Sequence, residues 1–141
     1  MRAEYLAVMT AALWGIGSFF EKKGLLLGHL NPGVGAVIRT SVALVVLLLF
    51  ALPHIGGIAR AGYKPVLLVA IGGGLLAGAF GIISFYAALK VGTLGKVLPI
   101  AFTSPFFGVL IAVIMGTEAL TVRVLLGMLL TISGIMVLTW K

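Results

Sequence analysis

Apolar positions in this chain fall into five runs, at about 4–27, 33–53, 64–89, 94–116 and 121–140. Short breaks rich in polar residues, glycine and proline separate them. Each run is close to the roughly 20 residues a helix needs to cross a hydrocarbon layer about 30 Å thick. Lipid satisfies no backbone polar group, so a spanning segment must be a helix or part of a closed barrel. Uninterrupted apolar runs exclude the alternating barrel pattern. The pattern therefore predicts an all-α integral membrane protein of five transmembrane helices, organised as a single domain over 1–141. The breaks are His29-Leu30-Asn31-Pro32-Gly33, Pro53-His54-Ile55-Gly56-Gly57, Lys90 to Lys96, and Gly116-Thr117-Glu118-Ala119-Leu120-Thr121. Lys64-Pro65 opens the third run, with proline in the first turn where a missing N–H is tolerated.

Composition agrees with this reading. Of 141 residues, 62% are hydrophobic and 9% are charged, against the roughly 25% charged typical of soluble domains. The turns leave no room for a soluble domain. The net charge of +7 suits anionic headgroups, and its scattered bases give no nucleic-acid surface. With no cysteine, disulfides and thiolate metal sites are ruled out. His29 and His54 lack ligand spacing, and no phosphate loop or nucleophile–base pair occurs. The sequence thus gives no enzyme, metal or cofactor reading. Glu21-Lys22-Lys23 follow the first run where a signal peptide would have a small-residue cleavage site, so that run is expected to be retained.

An odd number of spans puts the two ends on opposite membrane faces. Arg2, Arg60, Lys64 and Arg123 fall on the N-terminal side. Lys22, Lys23, Lys90, Lys96 and Lys141 fall on the other, with Arg39 leaning the same way. Orientation follows such a bias, and here it is slight. Two readings stand: a fixed orientation with the C-terminus inside, and dual topology in which copies insert both ways and pair antiparallel.

Few polar residues lie within the spans. Arg39 is the one charge well inside, at a depth where a charge usually faces a cavity or a partner; the alternative is snorkelling to the headgroups. Its guanidinium would suit a carboxylate or phosphate. Thr10, Trp14, Ser18 and Glu21 share one face of the first span, either as a cavity wall or with the hydroxyls bonded to their own backbone. Glu21-Lys22-Lys23 reads as a solvated interfacial cluster, with a substrate gate as the alternative. Gly74 and Gly78 form a GxxxG pair in span three, joined by Ala77 and Gly81, and Gly127 and Gly134 share a stripe in span five. Small residues of this kind let helices approach closely. Ser84 and Tyr86 near the end of span three are candidate cavity residues. In span four Pro99 is expected in the first turn. Pro105 lies inside and predicts a kink, with Thr103 and Ser104 placed to satisfy freed groups or line a pathway. No acid lies at mid-membrane, so a central carboxylate proton relay is not expected.

The run Leu13-Trp14-Gly15-Ile16-Gly17-Ser18-Phe19-Phe20, then Asn31-Pro32, then Arg39 opening a long span, resembles the start of an EamA domain of the drug/metabolite transporter superfamily. The resemblance continues through Phe85-Tyr86-Ala87-Ala88-Leu89-Lys90, Ser104-Pro105, the turn from Gly116 to Thr121, and Gly127 and Gly134. Such transporters typically have ten spans built from two inverted five-span repeats. The resemblance implies that this chain supplies one repeat, completed by a second copy as an antiparallel homodimer or by a similar half-size chain. It also implies that spans one to four surround the cavity. Trp14, Ser18, Arg39, Tyr86 and Thr103 then become candidate substrate-binding residues, and Glu118 a structural tie in the turn between spans four and five. The shorter small multidrug resistance proteins carry a glutamate midway along their first span, where this chain has Trp14 and its neighbours. That departure argues against proton-coupled cation export. The implied activity is transport of a small polar metabolite across the cytoplasmic membrane by alternating access. The rival is a non-transporting membrane subunit or scaffold.

Overall fold

A computed structural model describes residues 3–140, so Arg2 and Lys141 of the charge count lie outside the described residues. The described chain is helical, with no strand among the described residues. Five helical stretches are long and apolar enough to cross a membrane: Ala3–Leu27, Pro32–His54, Tyr63–Val91, Leu94–Ile114 and Val122–Thr139. They agree with the expected runs to within a few residues at each end. The chain divides into two compact units, Met1–Val91 and Gly92–Lys141.

The first unit opens with α1 (Ala3–Leu27) and α2 (Pro32–Ala51). Their turn is closed by residue chemistry. His29 adopts a left-handed φ of 48°, a conformation that lets a helix end abruptly. Asn31 then caps α2, its side-chain oxygen accepting from the Gly33 N–H at 2.8 Å. Pro32 takes the first helical position, where it removes only an N–H that had no partner. A 3₁₀ turn, Leu52–His54, and a short helix α3 (Gly57–Ala61) lead towards span three. That small helix was not expected in the connection. Gly62, at φ 79°, makes the break before α4 (Tyr63–Leu68).

Span three departs from a plain α-helix. Between α4 and α5 (Ile82–Val91) the backbone over Val69–Gly81 bonds with π-helical spacing. The π pattern links each N–H to the carbonyl five residues back and is ordinarily confined to single turns. Its glycines are Gly72, Gly73, Gly74, Gly78 and Gly81, and they offer little side-chain packing to hold an α register. Within the first unit no other span fills the packing faces expected at Gly74, Gly78 and Gly81. A Cβ at Gly74 would meet nothing within 4 Å, and one at Gly78 or Gly81 would first meet its own helix at Gly73 O or Leu76 O.

Packing in the first unit concentrates at one end. The buried residues are Ser18 and Leu25 of α1, Gly35 and Ala36 of α2, and Tyr86 and Leu89 of α5. All six lie within about three turns of Leu27, Pro32 or Val91. Lipid tails are as apolar as leucine, so this contact is held by close packing and polar links rather than by exclusion from water. Two lysines supply such links. The Lys22 ammonium donates to Leu89 O at 2.7 Å, and Lys90 donates to Leu30 O at 2.8 Å. Leu89 O belongs to the last turn of α5, where carbonyls lack intrahelical partners and a cation also complements the helix dipole.

The second unit holds α6 (Leu94–Ala101), α7 (Ser104–Ile114) and α8 (Val122–Thr139). Span four breaks at Phe102-Thr103, as Pro105 predicts, because its ring removes a helical N–H and crowds the carbonyl four residues back. The Thr103 hydroxyl donates to Ile100 O at 2.7 Å and satisfies one carbonyl at the break. Pro99 lies inside α6 rather than in its first turn. Gly116 turns the chain at φ 69°. The Thr117 and Glu118 N–H groups both reach Ala112 O, at 2.9 and 3.3 Å, and close the end of span four. Thr121 caps α8 through its side chain, accepting from the Val124 N–H at 3.3 Å.

Candidate functional site

The α1–α2 hairpin makes the main polar feature of the first unit. Glu21 lies six residues before the end of α1 and Arg39 seven residues after the start of α2. At 1.5 Å per residue both sit about 9–10 Å from the turn. Antiparallel helices therefore hold them level, and Arg39 Nε meets Glu21 Oε1 at 2.9 Å. The two side chains keep 35% and 19% of their exposure, so the pair is half-sheltered. An uncompensated charge costs roughly 2.5–3.5 kcal/mol at the centre of a spanning helix on insertion scales and less nearer its ends, and the pairing offsets part of the cost at this depth. Arg39 therefore turns to a carboxylate within its own unit. Glu21, expected in a solvated interfacial cluster, partners that guanidinium, because the hairpin brings the two to the same depth.

Tyr86 of α5 closes the third side. It is 2% exposed and interacts electrostatically with both Glu21 and Arg39. These three polar side chains line a pocket of about 220 Å³, walled by Gly24 and Leu25 of α1 and Gly35 of α2. The opening is small and mostly apolar, with one acid, one guanidinium and one phenol converging. Such a site can bind and orient a polar solute.

The other expected site residues fall elsewhere. Ser18 is buried, but its hydroxyl donates to Trp14 O at 2.7 Å. Thr10 likewise bonds Leu6 O at 2.9 Å. Trp14 is 56% exposed and does not line the Glu21–Arg39 pocket. Thr103 belongs to the second unit, where it lines an apolar pocket of about 250 Å³ with Phe102, Pro105, Phe106, Gly127 and Thr131. A Cβ at Gly127 or Gly134 meets nothing within 4 Å. The site thus joins Arg39 and Tyr86 and adds Glu21, Gly24, Leu25 and Gly35. Of the added residues, Glu21 was accessible to hairpin arithmetic: opposite charges nearly equidistant from one helix turn. Among the described residues no group of three or more His, Asp or Glu side chains converges as a metal site would require.

A family model described as the EamA-like transporter family matches residues 1–140. No curated protein and no solved structure matches the chain.

Proposed function

From the membership of this chain in the EamA-like transporter family, we propose that it moves a small polar metabolite across the cytoplasmic membrane by alternating access, as one of two antiparallel five-span repeats. Membership itself makes the chain a multi-pass membrane transporter. The observation that carries the finer reading is the pocket in which Glu21, Arg39 and Tyr86 meet within the membrane-spanning region. Polar groups at such depth are costly and mark solute pathways by default. Because Glu21 balances Arg39, the pocket holds both signs 2.9 Å apart. That balance favours a polar solute with compensated charge over the plain anion that Arg39 alone invites. Antiparallel pairing is supported by the near-even split of basic residues and by the odd number of spans. Trp14, Ser18 and Thr103 stay as candidate lining residues of the assembled cavity, and Gly74, Gly78, Gly81, Gly127 and Gly134 as its packing faces.

The test is flux of a metabolite panel into proteoliposomes holding this chain alone. Uptake of a polar solute is expected, with Arg39→Gln abolishing it and Arg39→Lys impairing it, because an ammonium lacks the planar fork. Full flux in both variants sinks the pocket assignment. Absence of flux across the panel favours the scaffold reading.

A further inference from the structure

The Tyr86 ring occupies the space that a side chain at residue 35 would need. A Cβ at Gly35 would stand 2.7 Å from Leu25 Cδ2 and 2.8 Å from both Cδ1 and Cε1 of Tyr86. Carbon atoms attract at about 3.5–4.0 Å and repel strongly at such separations, so any other residue at 35 must displace its neighbours. Leu25 is 1% exposed and Tyr86 2%, which leaves neither much room. The backbone of α5 is also restrained, by Lys22 on Leu89 O and by Lys90 on Leu30 O. Displacement is then shared between the Leu25 side chain and the Tyr86 ring, and the ring's share moves the phenol hydroxyl, the third polar group beside Glu21 and Arg39.

We propose that Gly35 is a specificity-determining position: its missing side chain seats the Tyr86 ring, and that seat fixes where the phenol hydroxyl meets the Glu21–Arg39 pair and how large the pocket is. Gly35 is a positioning residue that acts through Tyr86. The proposal rests on the reading that solute binds in this pocket, and it adds the residue that shapes it. Nothing in the apolar pattern of α2 points to it, since Gly33 and Gly35 read alike in sequence.

The test combines flux with a readout that needs no solute. In proteoliposomes, Gly35→Ala is expected to raise the KM of the transported metabolite about tenfold, the scale of one lost hydrogen bond, with the maximal rate little changed. Tyr86→Phe should do the same, and the double variant should add no further loss, because coupled residues are non-additive. Multiplying losses would overturn the proposal. Independently, the chain is labelled with fluorotyrosine in a Tyr5→Phe, Tyr63→Phe background, leaving Tyr86 as the single reporter. Its fluorine resonance should move in Gly35→Ala and in Glu21→Gln. A resonance unmoved by Gly35→Ala overturns the seat. A moved resonance in a chain that transports nothing keeps the seat and removes the transport reading instead. Should Gly35→Ala fail to insert, Gly35→Ala/Tyr86→Leu, with a smaller group in the seat, is expected to restore a monodisperse protein. Failure of that pair also overturns the proposal.

Discussion

Arg39 and Glu21 set the chemistry at the residue scale. Their contact at 2.9 Å is half-sheltered, so its loss falls between two known ranges: about 0–1 kcal/mol for an exposed pair and about 3–5 kcal/mol for a buried one broken on one side. Arg39→Gln or Glu21→Gln should each destabilise the detergent-solubilised protein by roughly 1–3 kcal/mol, read from thermal unfolding. Combining them should recover most of that stability, since no charge is left alone, while flux stays lost. Recovered flux in the double variant would mean that the pair only holds the hairpin together. At this scale the sequence was partly legible. Arg39 stood out because lipid penalises charge. Glu21 could be matched to it only by setting opposite charges equidistant from the hairpin turn. Gly35 left no trace, since its role depends on where a ring from another span lies.

At the scale of elements, hydropathy located all five spans, because that signal depends only on composition and length. It is blind to hydrogen-bond register, and span three is where this matters. Two neighbouring glycines there should respond oppositely. Gly78→Ala would put a methyl 2.8 Å from Gly73 O, whereas Gly74→Ala meets nothing within 4 Å. Gly74→Ala should be neutral or stabilise by up to about 1 kcal/mol through helix propensity alone. Gly78→Ala should drive the segment out of π bonding and change amide exchange across Val69–Gly81. Unchanged exchange in Gly78→Ala would mean that this carbonyl yields without altering the register. The hairpin turn offers a simpler case. Asn31→Ala removes the α2 cap and should cost about 1 kcal/mol of unfolding free energy, with Pro32 still marking the helix start.

The whole molecule raises the question of orientation. Five spans and nearly balanced bases favour copies that insert both ways. The chain has no native cysteine, so single cysteines added near either end report cleanly. Labelling from outside intact cells is expected to reach both ends, each in a different population of copies. If one end is never labelled, the antiparallel homodimer is wrong. Two lysines added to the Arg60–Lys64 turn should fix one orientation and stop transport by this chain alone.

The level placement of Glu21 and Arg39 also bears on biogenesis. A ribosome delivers α1 before α2, and α2 presented alone would bring an unmatched guanidinium into the bilayer. With α1 already beside it, the arginine arrives opposite its counter-charge. The first two spans are thus suited to enter as one hairpin, assembled before Tyr86 emerges to close over them.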